Sequence, residues 1–87
     1  MHTLTANRYA LSSVRVNESP GGYDCFADLH RDGKQIGRID YYGSQGAGPV
    51  AYFISACERD AFERQFGVGL DQETAIYRLF AEAGVRV

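Results

Sequence analysis

The chain has 87 residues, of which 45% are hydrophobic, with five Phe, six Tyr and a net charge of −2. That length makes one domain, and the apolar and aromatic content excludes a disordered chain. The slight acidity excludes a basic nucleic-acid footprint over the whole molecule and leaves room only for a local patch.

The first residues, MHTLTANRYALSS, carry no basic region followed by an apolar run, so no secretory signal is expected. No stretch approaches the roughly 18 apolar residues of a membrane span. The two cysteines, Cys25 and Cys57, do not make a disulfide framework. A reduced, cytoplasmic protein is the expectation.

Residues 8–17 (RYALSSVRVN) are β-prone. Tyr9 and Leu11 point one way and Val14 and Val16 the other, so a bulge is expected near Ser12-Ser13. Pro20-Gly21-Gly22 turns the chain. Residues 23–31 alternate: Tyr23, Cys25, Ala27 and Leu29 share a core face, while Asp24, Phe26, Asp28 and His30 share the other. Asp32-Gly33 follows, the strongest short-range hairpin signal, because both positions of the tight turn need positive φ. The strand over 34–42 returns. An unmodified two-residue turn sets Phe26 opposite Ile39; a bulge shifts the pairing by one, and the register stays open. Ile39 and Tyr41 are expected to join Phe26 on the outer face.

Residues 43–49 (GSQGAGP) form a flexible loop. Residues 50–54 suit a buried fourth strand. Ser55-Ala56-Cys57-Glu58 is a capping box, with the Glu58 carboxylate reaching back to the cap amide, and opens a helix over 56–66. Ala61, Phe62 and Phe66 mark its buried side, and Gly67 stops it. Asp71 caps a second helix over 71–83, where Ile76, Leu79, Phe80 and Ala83 recur at helical spacing. Residues 85–87 extend a short edge strand. Strands followed by helices give an α+β fold: a four-stranded antiparallel meander with two C-terminal helices packed on one face.

Few residues carry recognisable chemistry. The glycine loop lacks the Lys-Ser or Lys-Thr pair and the following helix of a phosphate loop. Cys57 sits near a helix N-terminus, which favours a thiolate, but Glu58 opposes this and neither His2 nor His30 is placed beside it by spacing. The scattered Cys and His lack the short paired spacings of a zinc site. No cofactor or metal is expected. Asp24, Asp28 and Asp40 read as a solvated face paired with Arg31 or Arg38. The outer face of the hairpin, with aromatic groups among charges, reads as a partner surface.

Within residues 26–53, Phe26-Ala27-Asp28-Leu29, Asp32-Gly33-Lys34, Gly37, Ile39, Gly48-Pro49 and Tyr52-Phe53 resemble a pattern of small bacteriophage and mobile-element proteins. In that pattern a hairpin leads through a Gly-Gly-Pro-like turn into a strand and C-terminal helices; Gly46-Ala47-Gly48-Pro49 departs from it by lacking adjacent glycines. Proteins of this kind include anti-CRISPR inhibitors. The resemblance covers about a third of the chain and implies no catalytic residues.

The expected function is therefore a non-enzymatic protein-binding inhibitor. It is expected to block a bacterial defence complex, such as a CRISPR-Cas effector subunit, by occlusion in the host cytoplasm. The expected contacts are Asp24, Phe26, Asp28, Arg38, Tyr41, Tyr42 and Gln45, on a monomer or homodimer away from any membrane. The alternative is a nucleic-acid-binding accessory module using aromatic and Arg residues on the sheet; the acidic balance weighs against it. A small enzyme using Cys57 is a third reading.

Overall fold

Asp32 and Gly33 both take positive φ, 54° and 82°, as the tight hairpin turn demands. From that turn the sheet follows. The computed structural model describes residues 8–85. It shows four strands in chain order, β1 (Tyr9–Ser19), β2 (Gly22–Arg31), β3 (Lys34–Tyr42) and β4 (Pro49–Phe53), each antiparallel to its neighbour. Helices α1 (Ala56–Phe66) and α2 (Leu70–Glu82) follow and pack on one face. The expected α+β meander with two C-terminal helices is thus the observed fold. None of the described helices is long and apolar enough to cross a membrane.

Two bulges decide what each face carries. In β1 the pairing steps from Ser12↔Asp28 to Arg15↔Phe26, so Ser13 and Val14 together oppose Ala27. Ser13 takes a φ of 52° there. The extra residue returns Val14 to the side of Tyr9 and Leu11, where all three pack on the core. In β3 the pairing steps from His30↔Gln35 to Leu29↔Gly37, leaving Ile36 as the inserted residue. Beyond it Ile39 pairs with Ala27 and Asp40 with Phe26. Ile39 is therefore fully buried under the helices, and Tyr41 on the same side is half-buried. The expectation that Ile39 and Tyr41 face outward with Phe26 is corrected by that one-residue insertion.

The core joins Cys25, Ala27, Leu29, Ile36 and Ile39 from the sheet to Phe62 of α1 and Ile76, Leu79 and Phe80 of α2. Phe62 is the hub, with Tyr9, Phe53 and Phe66 at ring-centroid distances of 5.1, 5.3 and 4.7 Å. Offset and edge-on contacts of this kind add to area burial. Ala83 and Tyr23, expected in the core, are exposed.

Helix ends follow the sequence with three changes. Ser55 Oγ accepts from the Glu58 amide at 3.2 Å, as a cap should. The Glu58 carboxylate does not reach back; Arg31 takes it instead. Helix α2 starts one residue earlier than expected, with Gly69 rather than Asp71 at its cap and Asp71 in its first turn. Gly67, with a φ of 90°, closes α1 by donating to the Glu63 carbonyl. Val85 packs against the core, while the rest of the expected tail strand, 86–87, lies outside the described residues, as does His2.

β4 is the edge of the sheet, not a buried strand. Only Pro49, Ala51 and Phe53 turn toward the helices; Val50 and Tyr52 are exposed on the other side. The segment expected to be a flexible loop is also more ordered than its composition suggests. Gly43–Gln45 form a turn of 3-10 helix, closed by Gly46 and Ala47 amides donating to the Gly43 and Tyr42 carbonyls.

Candidate binding face of the sheet

The helices cover one side of the sheet and leave the other open. Register places three rows across that open side: Ser12, Asp28, Arg38 and Tyr52; Arg15, Phe26, Asp40 and Val50; Asn17, Asp24 and Tyr42. The β1 half is polar. The half nearer β4 carries rings and aliphatic groups, with Ile54 just beyond the strand.

Within this face the side chains are held by one another. Phe26 and Tyr42 meet edge to face with centroids 5.3 Å apart. The Arg38 guanidinium lies 4.9 Å from the centre of the Tyr52 ring, while its Nε is 3.6 Å from Asp40 Oδ1. A cation over a ring and beside a carboxylate is already oriented for a further contact. Asp24 is committed to the neighbouring turn: its Oδ1 accepts from the Ser44 amide at 3.1 Å and the Ser44 hydroxyl at 2.6 Å. Asp28 has no hydrogen bond or ion pair among the described residues. Arg38, Tyr52 and Ile54 also line a shallow groove with Gln35, Gly37 and Phe53.

Of the residues singled out from the sequence, Asp24, Phe26, Asp28, Arg38 and Tyr42 share the open face. Gln45 is exposed in the turn that Asp24 holds. Tyr41 does not join them; it packs edge-on against Tyr77 of α2 at 5.6 Å, on the covered side. Burial raises the Tyr77 hydroxyl above the usual tyrosine range, with Tyr41 adding to the shift. The expected pairing of the aspartates with Arg31 is also absent from this face, because Arg31 is bonded to Glu58 and lies 3.8 Å from Asp32.

Sequence reasoning missed Val50 and Ile54 as members of this face. Residues 50–54 are apolar on both sides, so alternation cannot say which side is covered. It also missed the Ser12 hydroxyl lying 2.6 Å from His30 Nε2. That pair is nucleophile and base by type, but no acid is bonded to the other ring nitrogen among the described residues. It is read as a cross-strand hydrogen bond. Cys57 is exposed at the second position of α1, and Cys25 is buried with its thiol pushed up by desolvation. Among the described residues no three His, Cys, Asp or Glu side chains cluster to hold a metal.

No family model, no curated protein and no solved structure matches the chain.

Proposed function

We propose that the chain is a non-enzymatic protein-binding module that docks through the open side of its sheet. The observation that supports this is the set formed by half-buried Phe26 and exposed Tyr42, Arg38 and Tyr52, pre-arranged by ring and ion contacts on the sheet. Rigid aromatic and Arg anchors surrounded by polar groups are what protein interfaces use, because little side-chain entropy is lost on docking. Asp28, without a hydrogen-bond or ion-pair partner among the described residues, supplies a charge for a basic group on the partner.

The concrete form we infer is an inhibitor of a bacterial defence complex, of the anti-CRISPR kind, acting by occlusion. It rests on the resemblance of residues 26–53 to small phage and mobile-element proteins. The Arg38–Tyr52 stack favours a second reading, binding of unpaired nucleic acid, since guanidinium and ring planes both stack on bases. Asp24, Asp28 and Asp40 on the same face oppose phosphates, so the protein-binding reading stands first.

The test adds the full chain to DNA-cleavage assays with a panel of purified CRISPR-Cas effector complexes. Inhibition by the wild type, lost in Phe26→Asp and Arg38→Glu, is the expected result. No inhibition across the panel overturns the inhibitor form. Tight, salt-sensitive binding to single-stranded oligonucleotides that depends on Arg38 and Tyr52 gives the second reading first place.

A further inference from the structure

The two edges of the sheet are built differently. β1 is defended: it carries a bulge at Ser13-Val14 and the charged residues Arg15 and Glu18. Bulges and charges are the usual means of keeping an edge from pairing with another chain. β4 has neither. It lies within residues 43–57, a run without a single charged residue. Its outward side chains Val50, Tyr52 and Ile54 are 46%, 48% and 62% exposed.

The backbone of that edge has its groups ready. The Ile54 amide donates to the Ile36 carbonyl at 2.9 Å, so the even-numbered amides of this stretch point at β3. Alternation then turns the amides and carbonyls of Ala51 and Phe53 to the outer edge. Among the described residues no backbone hydrogen bond from outside the sheet reaches them.

We propose that β4 pairs antiparallel with β4 of a second copy of this chain, about a two-fold axis at Tyr52, joining the two four-stranded sheets into one. In that register Ala51 faces the second copy's Phe53, so the outward amides and carbonyls of both residues are satisfied on both strands. A small residue sits beside a large one each time. On the open side Val50 faces the second copy's Ile54 and Tyr52 faces its own counterpart. A two-fold axis sets like against like, which is costly for a charged strand and free of repulsion for this one. An uncharged strand also offers a foreign chain no charge to recognise, whereas its size pattern is complementary to itself. Pairing of a strand this short falls at the small end of specific interfaces, so association in the micromolar range is expected. The proposal does not rest on the docking role above: Asp24, Phe26, Asp28 and Tyr42 stay open in the pair, and Tyr52 is the one anchor that the two surfaces share.

Sedimentation of the full chain tests it. At about 100 μM the wild type should sediment at twice the monomer mass, and Tyr52→Lys, which opposes two like charges at the axis, should return it to a monomer that still unfolds in one cooperative transition. Register is read by cross-linking in a Cys57→Ser background. Residues facing each other in a non-hydrogen-bonded antiparallel pair are close enough for a disulfide. On mild oxidation Tyr52→Cys should therefore form a covalent dimer at least tenfold faster than Val50→Cys, which faces a different residue. A monomeric wild type at that concentration, a dimer that survives Tyr52→Lys, or equal cross-linking of the two cysteine variants overturns the proposal.

Discussion

The Arg31 guanidinium grips the Glu58 carboxylate with both arms of its fork, Nε to Oε1 at 2.9 Å and Nη2 to Oε2 at 2.8 Å. The contact ties the end of β2 to the first turn of α1. The carboxylate also lies at the positive end of the helix, so charge pairing and helix dipole act on it together.

Glu58→Gln keeps the shape and removes the charge. The helix cap made by Ser55 is left in place, because it uses the Glu58 amide and not its side chain. The expected outcome is a fall of a few degrees in Tm by circular dichroism. Arg31→Ala should give a fall of the same order, and the double variant should lose clearly less than the sum of the two. Additive losses would show that the two side chains do not act as a pair.

Stability should fall on the acid side through two carboxylates. The hydrogen bond from Arg31 holds Glu58 below the usual carboxylate range, and that from Arg8 does the same for Asp32. A depressed folded value means the unfolded chain binds protons first as pH drops. The contribution is therefore complete above about pH 4.5 and is lost as pH falls through the folded values. On the alkaline side burial raises Cys25, Tyr9 and Tyr77. Their contribution is complete below the unfolded values of about 8.5 for the thiol and 10 for the tyrosines and is lost at higher pH. Urea midpoints measured from pH 2.5 to 10.5 should trace a plateau with two falling limbs. Glu58→Gln should flatten the acid limb.

Much of this fold is legible in local chemistry. The Asp32-Gly33 turn, the Ser55 cap and the helical spacing of Ile76, Leu79 and Phe80 each specify their element without help from the rest of the chain. The faces are not legible in the same way, because each bulge inverts the parity of everything beyond it. Ile36 and Ile39 lie three apart, a spacing that only an inserted residue can bury on one side of a strand, and Gly37 between them was the available signal. The candidate site inherits that ambiguity: Phe26 and Tyr42 reach the open side, Tyr41 does not. Asp24 illustrates a second difficulty, since its bonds to Ser44 depend on a contact across 20 positions that no local pattern announces.

Gly37 is where that bulge meets β4. A Cβ added there would collide with the carbonyl oxygen of Tyr52, which is backbone and cannot rotate away. Gly37→Ala should therefore push β4 off the sheet and cost about 2–4 kcal/mol. Gly33→Ala meets open space and suffers only its positive φ, so about 1 kcal/mol is expected. Denaturant melts of the two variants give the order. A Gly37→Ala protein as stable as Gly33→Ala contradicts the close approach of the two strands.

Tyr41 and Tyr42 are neighbours in sequence with opposite surroundings, and they separate packing from recognition. Tyr41 is wedged against Tyr77 beneath α2, whereas Tyr42 meets the Phe26 ring at the open face. Tyr41→Ala should cost about 2 kcal/mol of stability, since it opens a gap under the helix. Tyr42→Ala should cost under about 1 kcal/mol, the scale of one exposed aromatic pair. Affinity should respond in the reverse order. For any protein partner captured through the open face, Tyr42→Ala should weaken binding tenfold or more at a temperature where both variants are folded. Tyr41→Ala, whose ring no partner on that side can touch, should weaken it by less than about twofold. Equal loss in the two variants would move the binding surface away from the open side of the sheet.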